Sequence, residues 1–155
     1  MRRYQANGFI PIIAPPARIT RQMADSIVVV KGDVLIDDGS GYATNTAVLF
    51  AATVLGVAAI DKTGGATDGA ESIEIYPLDF DTQYIVPVAG NTAITRDAVG
   101  TYVDLETNGT IDITDEVTEG LSFFIEDIDI STEAIAANTA GYAIGRFRNL
   151  TTQSS

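Results

Sequence analysis

From Ser26 onward apolar and polar residues alternate in short runs separated by glycine-rich turns, and period two predicts strands. Ser26–Lys31 and Asp33–Ile36 are β-branched and flank Gly32. Thr46–Ile60 is longer and is interrupted at Gly56, which predicts a buried strand pair with a bend or bulge there. Ser72–Leu78 alternates cleanly, and Gln83–Val88 follows it; Pro77 and Pro87 point to edge positions. Tyr102–Leu105 and Thr110–Ile113 flank Asn108-Gly109, a strong hairpin signal. Ser122–Ile130 places Ile128 and Ile130 on one face and Asp127 and Asp129 on the other. Thr132–Ala140 has helical composition and admits one short helix, and Tyr142–Phe147 closes the body. Strands about ten residues apart, joined by glycine-rich turns, predict an all-β fold, a small sandwich or barrel.

The first 25 residues break this pattern. Pro11, Pro15 and Pro16 remove backbone donors and favour extended conformations, and neither helical nor strand period is visible. An extended segment of that length spans up to roughly 80 Å, well past the radius of a body this size. Phe9, Ile10, Ile12, Ile13 and Ile19 are too apolar for a solvated tail. Two arrangements satisfy them: packing on the segment's own domain, or docking as an extended N-terminal arm on a neighbouring subunit. The latter is expected here, with an arm over residues 1–25, a β-rich body over 26–150 and a polar tail over 151–155.

Charge sharpens the division. Residues 1–31 hold five cations against Asp25 alone, whereas residues 32–145 hold twenty acids against Lys62 and Arg96. A basic arm suits an acidic partner such as the body of a sister subunit. The partner-binding residues expected on this ground are Phe9, Ile10, Ile12, Ile13 and Ile19 as apolar anchors, with Arg2, Arg3, Arg18 and Arg21 as charge partners.

The full sequence of 155 residues has a net charge of −12, which disfavours nucleic acid and anionic membrane surfaces as partners. No run approaches the roughly 20 apolar residues of a membrane-spanning helix, and Ile10–Ala14 is too short for the apolar region of a signal peptide. With no cysteine and no histidine, thiol nucleophiles, Cys/His zinc sites and Ser-His-Asp triads are excluded. Paired carboxylates remain conceivable for glycoside hydrolysis, yet nothing singles out one pair among 21 acids. No enzyme activity and no cofactor are therefore expected. Asp37-Asp38-Gly39-Ser40-Gly41 looks like an oxygen-ligand loop for calcium, but it lacks the alternating acids and terminal Glu of an EF-hand. Asp79-Phe80-Asp81 and Glu126-Asp127-Ile128-Asp129 read as solvated strand faces and turns. Thr63–Ala70 is glycine-rich without a Gly-Lys-Ser/Thr ending, so it reads as a hairpin tip.

Four stretches together resemble the bacteriophage head decoration, or capsid cement, proteins. Lys31-Gly32-Asp33-Val34-Leu35 is similar to the opening strand of that group. Leu55-Gly56-Val57-Ala58-Ala59 resembles its apolar strand with a central glycine, Ala98-Val99-Gly100-Thr101-Tyr102-Val103 a later glycine-led strand, and Tyr142-Ala143-Ile144-Gly145-Arg146-Phe147 the closing one. They span about residues 26–148. The resemblance implies a β-tulip-like body that binds the outside of an expanded capsid lattice as a trimer and stiffens it. Its partners would be the major capsid protein and further copies of itself, and its location the outer surface of the virion. On this reading, deleting residues 1–25 leaves the body folded and abolishes attachment. The alternative is a β-sandwich adhesion or receptor-binding module of a phage tail or cell surface.

Overall fold

The computed structural model describes residues 4, 5, 7–45 and 53–150. In sequence order the strands are β1 (Ile10–Ile13), β2 (Ile19–Gln22), β3 (Val28–Val29), β4 (Val34–Asp37), β5 (Ala43–Thr44), β6 (Val54–Ala58) and β7 (Lys62–Thr63). They continue with β8 (Ser72–Pro77), β9 (Gln83–Pro87), β10 (Tyr102–Thr107), β11 (Thr110–Glu116), β12 (Gly120–Asp129) and β13 (Tyr142–Leu150). A 3-10 turn at Arg96–Ala98 and one short helix, α1 (Thr132–Ala137), complete the described elements. The protein is all-β and sandwich-like.

Six strands form one sheet in the order β1-β9-β13-β12-β10-β11, and five form a second in the order β2-β8-β6-β4-β5. Every ladder within these sheets is antiparallel. Both sheets curl. An isolated bridge joins Val88, just past β9, to Ile111 of β11, and another joins Met23, just past β2, to Ala43 of β5. Right-handed twist accumulated across several strands brings the ends of each sheet round in this way without closing a barrel.

Alternation along β4 shows how the sequence builds two apolar layers from one strand. Val34 and Ile36 face the larger core, shared with Val57, Tyr84, Val86, Val103, Phe123 and Phe147 of the other strands. Leu35, between them, faces a second cluster with Met23, Val29, Ala58, Ile73 and Ile75. The two-stranded β3–β7 ribbon covers that second layer. A third, smaller cluster lies where Ala134 of α1 packs with Ile10, Ile85, Tyr142 and Ile144. Burial at this scale contributes about 1.5–3 kcal/mol per large apolar side chain.

Residues 7–25 are not a free arm. β1 pairs with β9 and β2 pairs with β8, so the segment supplies one edge strand to each sheet. Phe9 is 1% exposed and Ile10 is 7% exposed, inside the body they were expected to leave. The physical reason is that an edge strand tolerates proline, because one side of its backbone needs no partner. Met23 and Ala24 are buried as well, so no structural break falls at residue 25.

Other expectations are adjusted rather than overturned. The strand expected over 26–31 shortens to Val28–Val29, because Asp33 turns the backbone: its carboxylate accepts the Val30 N–H and its own N–H donates to the Val30 carbonyl. The first part of the expected 46–60 strand lies outside the described residues at 46–52; in the remainder, the β4–β6 register slips beside Gly56, opposite Leu35 and Ile36. β8 and β9 are interior strands, yet Pro77 and Pro87 sit where the outer neighbour has ended. β2 reaches only Ile75 and β1 only Ile85. The Leu78 and Val88 N–H groups donate to the inner neighbours, so the missing proline donors face the vacated side. α1 stops at Ala137 because Asn138 takes φ −152° and its amide donates to the Val88 and Gly141 carbonyls, both at 2.9 Å.

Candidate functional site

The expected partner-binding residues separate into three groups. Arg2 and Arg3 lie outside the described residues. Phe9 belongs to the core: its ring centroid stands 5.3 Å from Phe147, 5.4 Å from Phe123 and 6.0 Å from Tyr84. Ile10 and Ile12 pack with Tyr142, Tyr4 and Ala134 on the outer face of the six-stranded sheet. The apolar anchors that remain available are Ile13, 51% exposed, and Ile19, 40% exposed.

Between these two, the backbone passes from one sheet to the other. Residues 13–17 read Ile-Ala-Pro-Pro-Ala, five positions without charge, all exposed except the half-buried Pro16. Ala14 takes φ +55°, a conformation that costs an alanine about 1–2 kcal/mol, and its carbonyl accepts the Thr82 hydroxyl at 2.8 Å. That bond ties the crossing to the β8–β9 corner, where Asp79 Oδ1 accepts the Asp81 and Thr82 N–H groups and leaves Phe80 41% exposed. The crossing thus carries exposed Ile13 at one end and exposed Ile19 at the other, and it is tied by hydrogen bond to the turn that exposes Phe80, on an acidic protein.

The charges around it are mostly committed. Arg18 donates to the Tyr76 hydroxyl at 3.2 Å and lies 3.5 Å from Glu74, with its guanidinium 5.3 Å from the centre of the Tyr76 ring. The Tyr76 hydrogen bond, with Glu74 contributing less, raises its pKa above the ordinary arginine value. Arg146 holds Glu126 at 2.9 Å and reaches the Asp81 carbonyl, while Arg148 donates to the carbonyls of Phe80 and Phe147. Arg21 is paired in register with Ile73 and has no ion pair among the described residues. Arg18 and Arg21 both belong to the segment that leaves the crossing, although Arg18 is engaged by Tyr76 and Glu74 of the same molecule.

Phe80 is the functional candidate that sequence reasoning missed. An aromatic between two aspartates reads as a turn, and the exposure comes from capping by the Asp79 carboxylate, which no strand period announces.

The acidic loops do not form a comparable site. Asp37 Oδ1 accepts the N–H groups of Gly39 and Gly41, and Asp38 Oδ1 accepts those of Ser40 and Tyr42. These carboxylates satisfy their own loop. Among the described residues no three acidic side chains gather into a metal-binding group. Asp127 is bonded by the Ile128 N–H and by Arg96 at 2.5 Å, and both hold its pKa below the usual carboxylate value. Asp112 is lowered chiefly by the hydroxyl and N–H of Thr114. Each shift has a local structural cause.

Two open pockets lie among the described residues. One, about 430 Å³, lies beside the β3–β7 ribbon between Val28, Val30, Asp61 and Lys62. Another, about 380 Å³, lies between Gly90, Thr92, Glu106, Asp112 and Ile113. Neither brings together an activated nucleophile and a base. No family model matches the sequence, and no curated protein matches it.

Proposed function

We propose that this protein is a structural virion component that attaches to the outside of a bacteriophage capsid lattice, as a trimer, and stabilises the expanded shell. The observation that carries the reading is the uncharged crossing of Ile13, Ala14, Pro15, Pro16 and Ala17, followed by exposed Ile19 and tied by hydrogen bond to the turn that exposes Phe80, on a body with net charge −12. An apolar surface held out by a strained alanine and two prolines suits contact with another protein. The resemblance of 31–35, 55–59, 98–103 and 142–147 to capsid cement proteins supplies the kind of partner. Attachment then runs through Ile13 and Ile19 with Arg21, and not through Phe9 and Ile10, which the body uses internally. Several weak contacts presented by one trimer act together, so the assembly holds firmly while each stays small. The acidic remainder keeps decorated particles apart in solution.

Electron microscopy of native source particles labelled with an antibody against this protein tests the reading. Regular label at symmetry-related points on an icosahedral shell is expected. Label confined to fibre tips would favour an adhesion module, and unlabelled particles would overturn the proposal.

A further inference from the structure

The sequence has two Asn-Gly steps, Asn7-Gly8 and Asn108-Gly109. They are about a hundred residues apart, and folding presses them against each other. The Gly8 N–H donates to the Gly109 carbonyl at 2.8 Å. A Cβ on Gly109 would lie 2.6 Å from both the Gly8 nitrogen and Asn7 Oδ1. Asn-Gly is a chemically fragile step, because no Cβ hinders the glycine nitrogen from closing on the preceding amide carbon. Neither asparagine side chain has a hydrogen-bond partner among the described residues. Neither amide is held by a hydrogen bond, although the Asn7 side chain is packed against Gly109.

The two steps differ in the attacking nitrogen. The Gly8 N–H is committed to the Gly109 carbonyl at 2.8 Å. Among the described residues the Gly109 N–H has only the Thr107 hydroxyl at 3.3 Å, and that hydroxyl is itself shared with Thr110 at 2.7 Å. Meanwhile Asn108 is held in place through its carbonyl, which accepts the Val34 N–H at 2.8 Å.

We propose that Asn108 is the site of spontaneous deamidation in the folded protein and that its conversion exposes Asn7 to the same reaction. The Gly109 nitrogen attacks Asn108 Cγ and forms a new C–N bond, while the bond from Cγ to the amide nitrogen Nδ2 breaks. The proton of the peptide N–H leaves with the departing ammonia. Water then opens the cyclic imide at either carbonyl, giving aspartyl or isoaspartyl, with no change of oxidation state. In the isoaspartyl product the backbone runs through one more carbon, and a carboxylate is added. The Gly109 carbonyl is displaced from the Gly8 N–H, so the nitrogen that would attack Asn7 is released. The modification is thus ordered, Asn108 before Asn7, and it loosens the point where residues 7–9 enter the body.

The test is peptide mapping by mass spectrometry of the full-length protein ageing in ¹⁸O water at mildly alkaline pH. Asn108 is expected to convert first and Asn7 after a lag, while in urea both convert together. Thr107→Ala should speed Asn108 severalfold, and Asn108→Ser should hold Asn7 at the slow rate of Asn138. Hydrogen exchange at Gly8 and Phe9 should rise with the fraction converted. Conversion of Asn7 first or in step with Asn108 in the folded protein would overturn the ordering. A rate at Asn108 no faster than at Asn138 would overturn the site itself. The lag in the unmodified sequence needs no variant to fold.

Discussion

Phe9 and Phe147 lie 5.3 Å apart between ring centroids, near opposite ends of the sequence, and Tyr84 and Phe123 close round them at 5.4 and 5.7 Å from Phe147. The N-terminal segment is therefore part of the main core. Phe9→Ala should destabilise the fold by about 3–5 kcal/mol, the usual cost of truncating a buried phenylalanine. Deleting residues 1–24 removes Phe9, Ile10, Met23 and Ala24 together and should abolish cooperative unfolding in thermal melts followed by circular dichroism. A truncated protein that melts cooperatively near the full-length midpoint would contradict this packing.

The crossing of Gly8 and Gly32 gives a sharper test. A Cβ on Gly32 would stand 2.7 Å from Gly8 Cα, and Gly32 has φ +95°. Gly39 has almost the same φ, +94°, with nothing within 4 Å of its Cβ position. Gly39→Ala should cost only the backbone strain, about 1–2 kcal/mol. Gly32→Ala should cost that plus overpacking of about 1–3 kcal/mol. Equal costs in urea titrations would show that the two segments separate easily at this point.

Alkali should weaken the protein before it ionises the core. Burial, with Asp79 second, pushes the Tyr84 phenol well above its ordinary value. A buried phenol is uncharged when protonated, so the unfolded state gives up its proton first. The contribution is fully present below the unfolded tyrosine pKa of about 10 and is lost as pH rises beyond it. Stability should fall above about pH 10, and Tyr84→Phe should flatten that fall while leaving the neutral melting point within a few degrees. At the acid end Asp127 and Asp112 have depressed values. Their contribution is present above the unfolded aspartate pKa of about 3.9 and disappears as pH drops through the folded values.

Ile13→Lys with Ile19→Lys should leave folding nearly unchanged, within about 0.5 kcal/mol for each exposed position. On the attachment proposed above, the same pair should reduce co-sedimentation with expanded capsid shells by about tenfold or more, a loss of about 1.4 kcal/mol. Undiminished co-sedimentation would place the attachment surface elsewhere on the body.

What the sequence makes legible follows from how much period each element carries. β8 alternates over most of its length, and shorter alternating stretches make parts of β11 and β12 readable. β5 and β7 have two residues each, too few for any period. β1 is hidden by Pro11, since proline argues against a strand until an edge is known to be available. The Asn108-Gly109 hairpin forms as expected, yet neither residue has a positive φ, so the turn is not type I′. Gly109 is required by the backbone that passes across it, a long-range demand invisible to local reading. At the candidate site, Ile13 and Ile19 stand out as apolar residues without a strand period to bury them. Phe9 and Ile10 share the same local signal, and only tertiary packing separates the two pairs.

The wiring of the first strand sets the order in which the molecule finishes folding. β1 waits for β9, which lies far downstream, and Phe9 waits for Phe147 in the final strand. A ribosome adds roughly 5–20 residues per second, so the N-terminus emerges seconds before its seat exists. During that interval the Phe-Ile-Pro-Ile-Ile run is exposed, and sealing the interior between the sheets waits until Phe147 has been made. A bulky fusion placed ahead of Tyr4 should therefore slow maturation of the newborn protein more than one placed after Leu150.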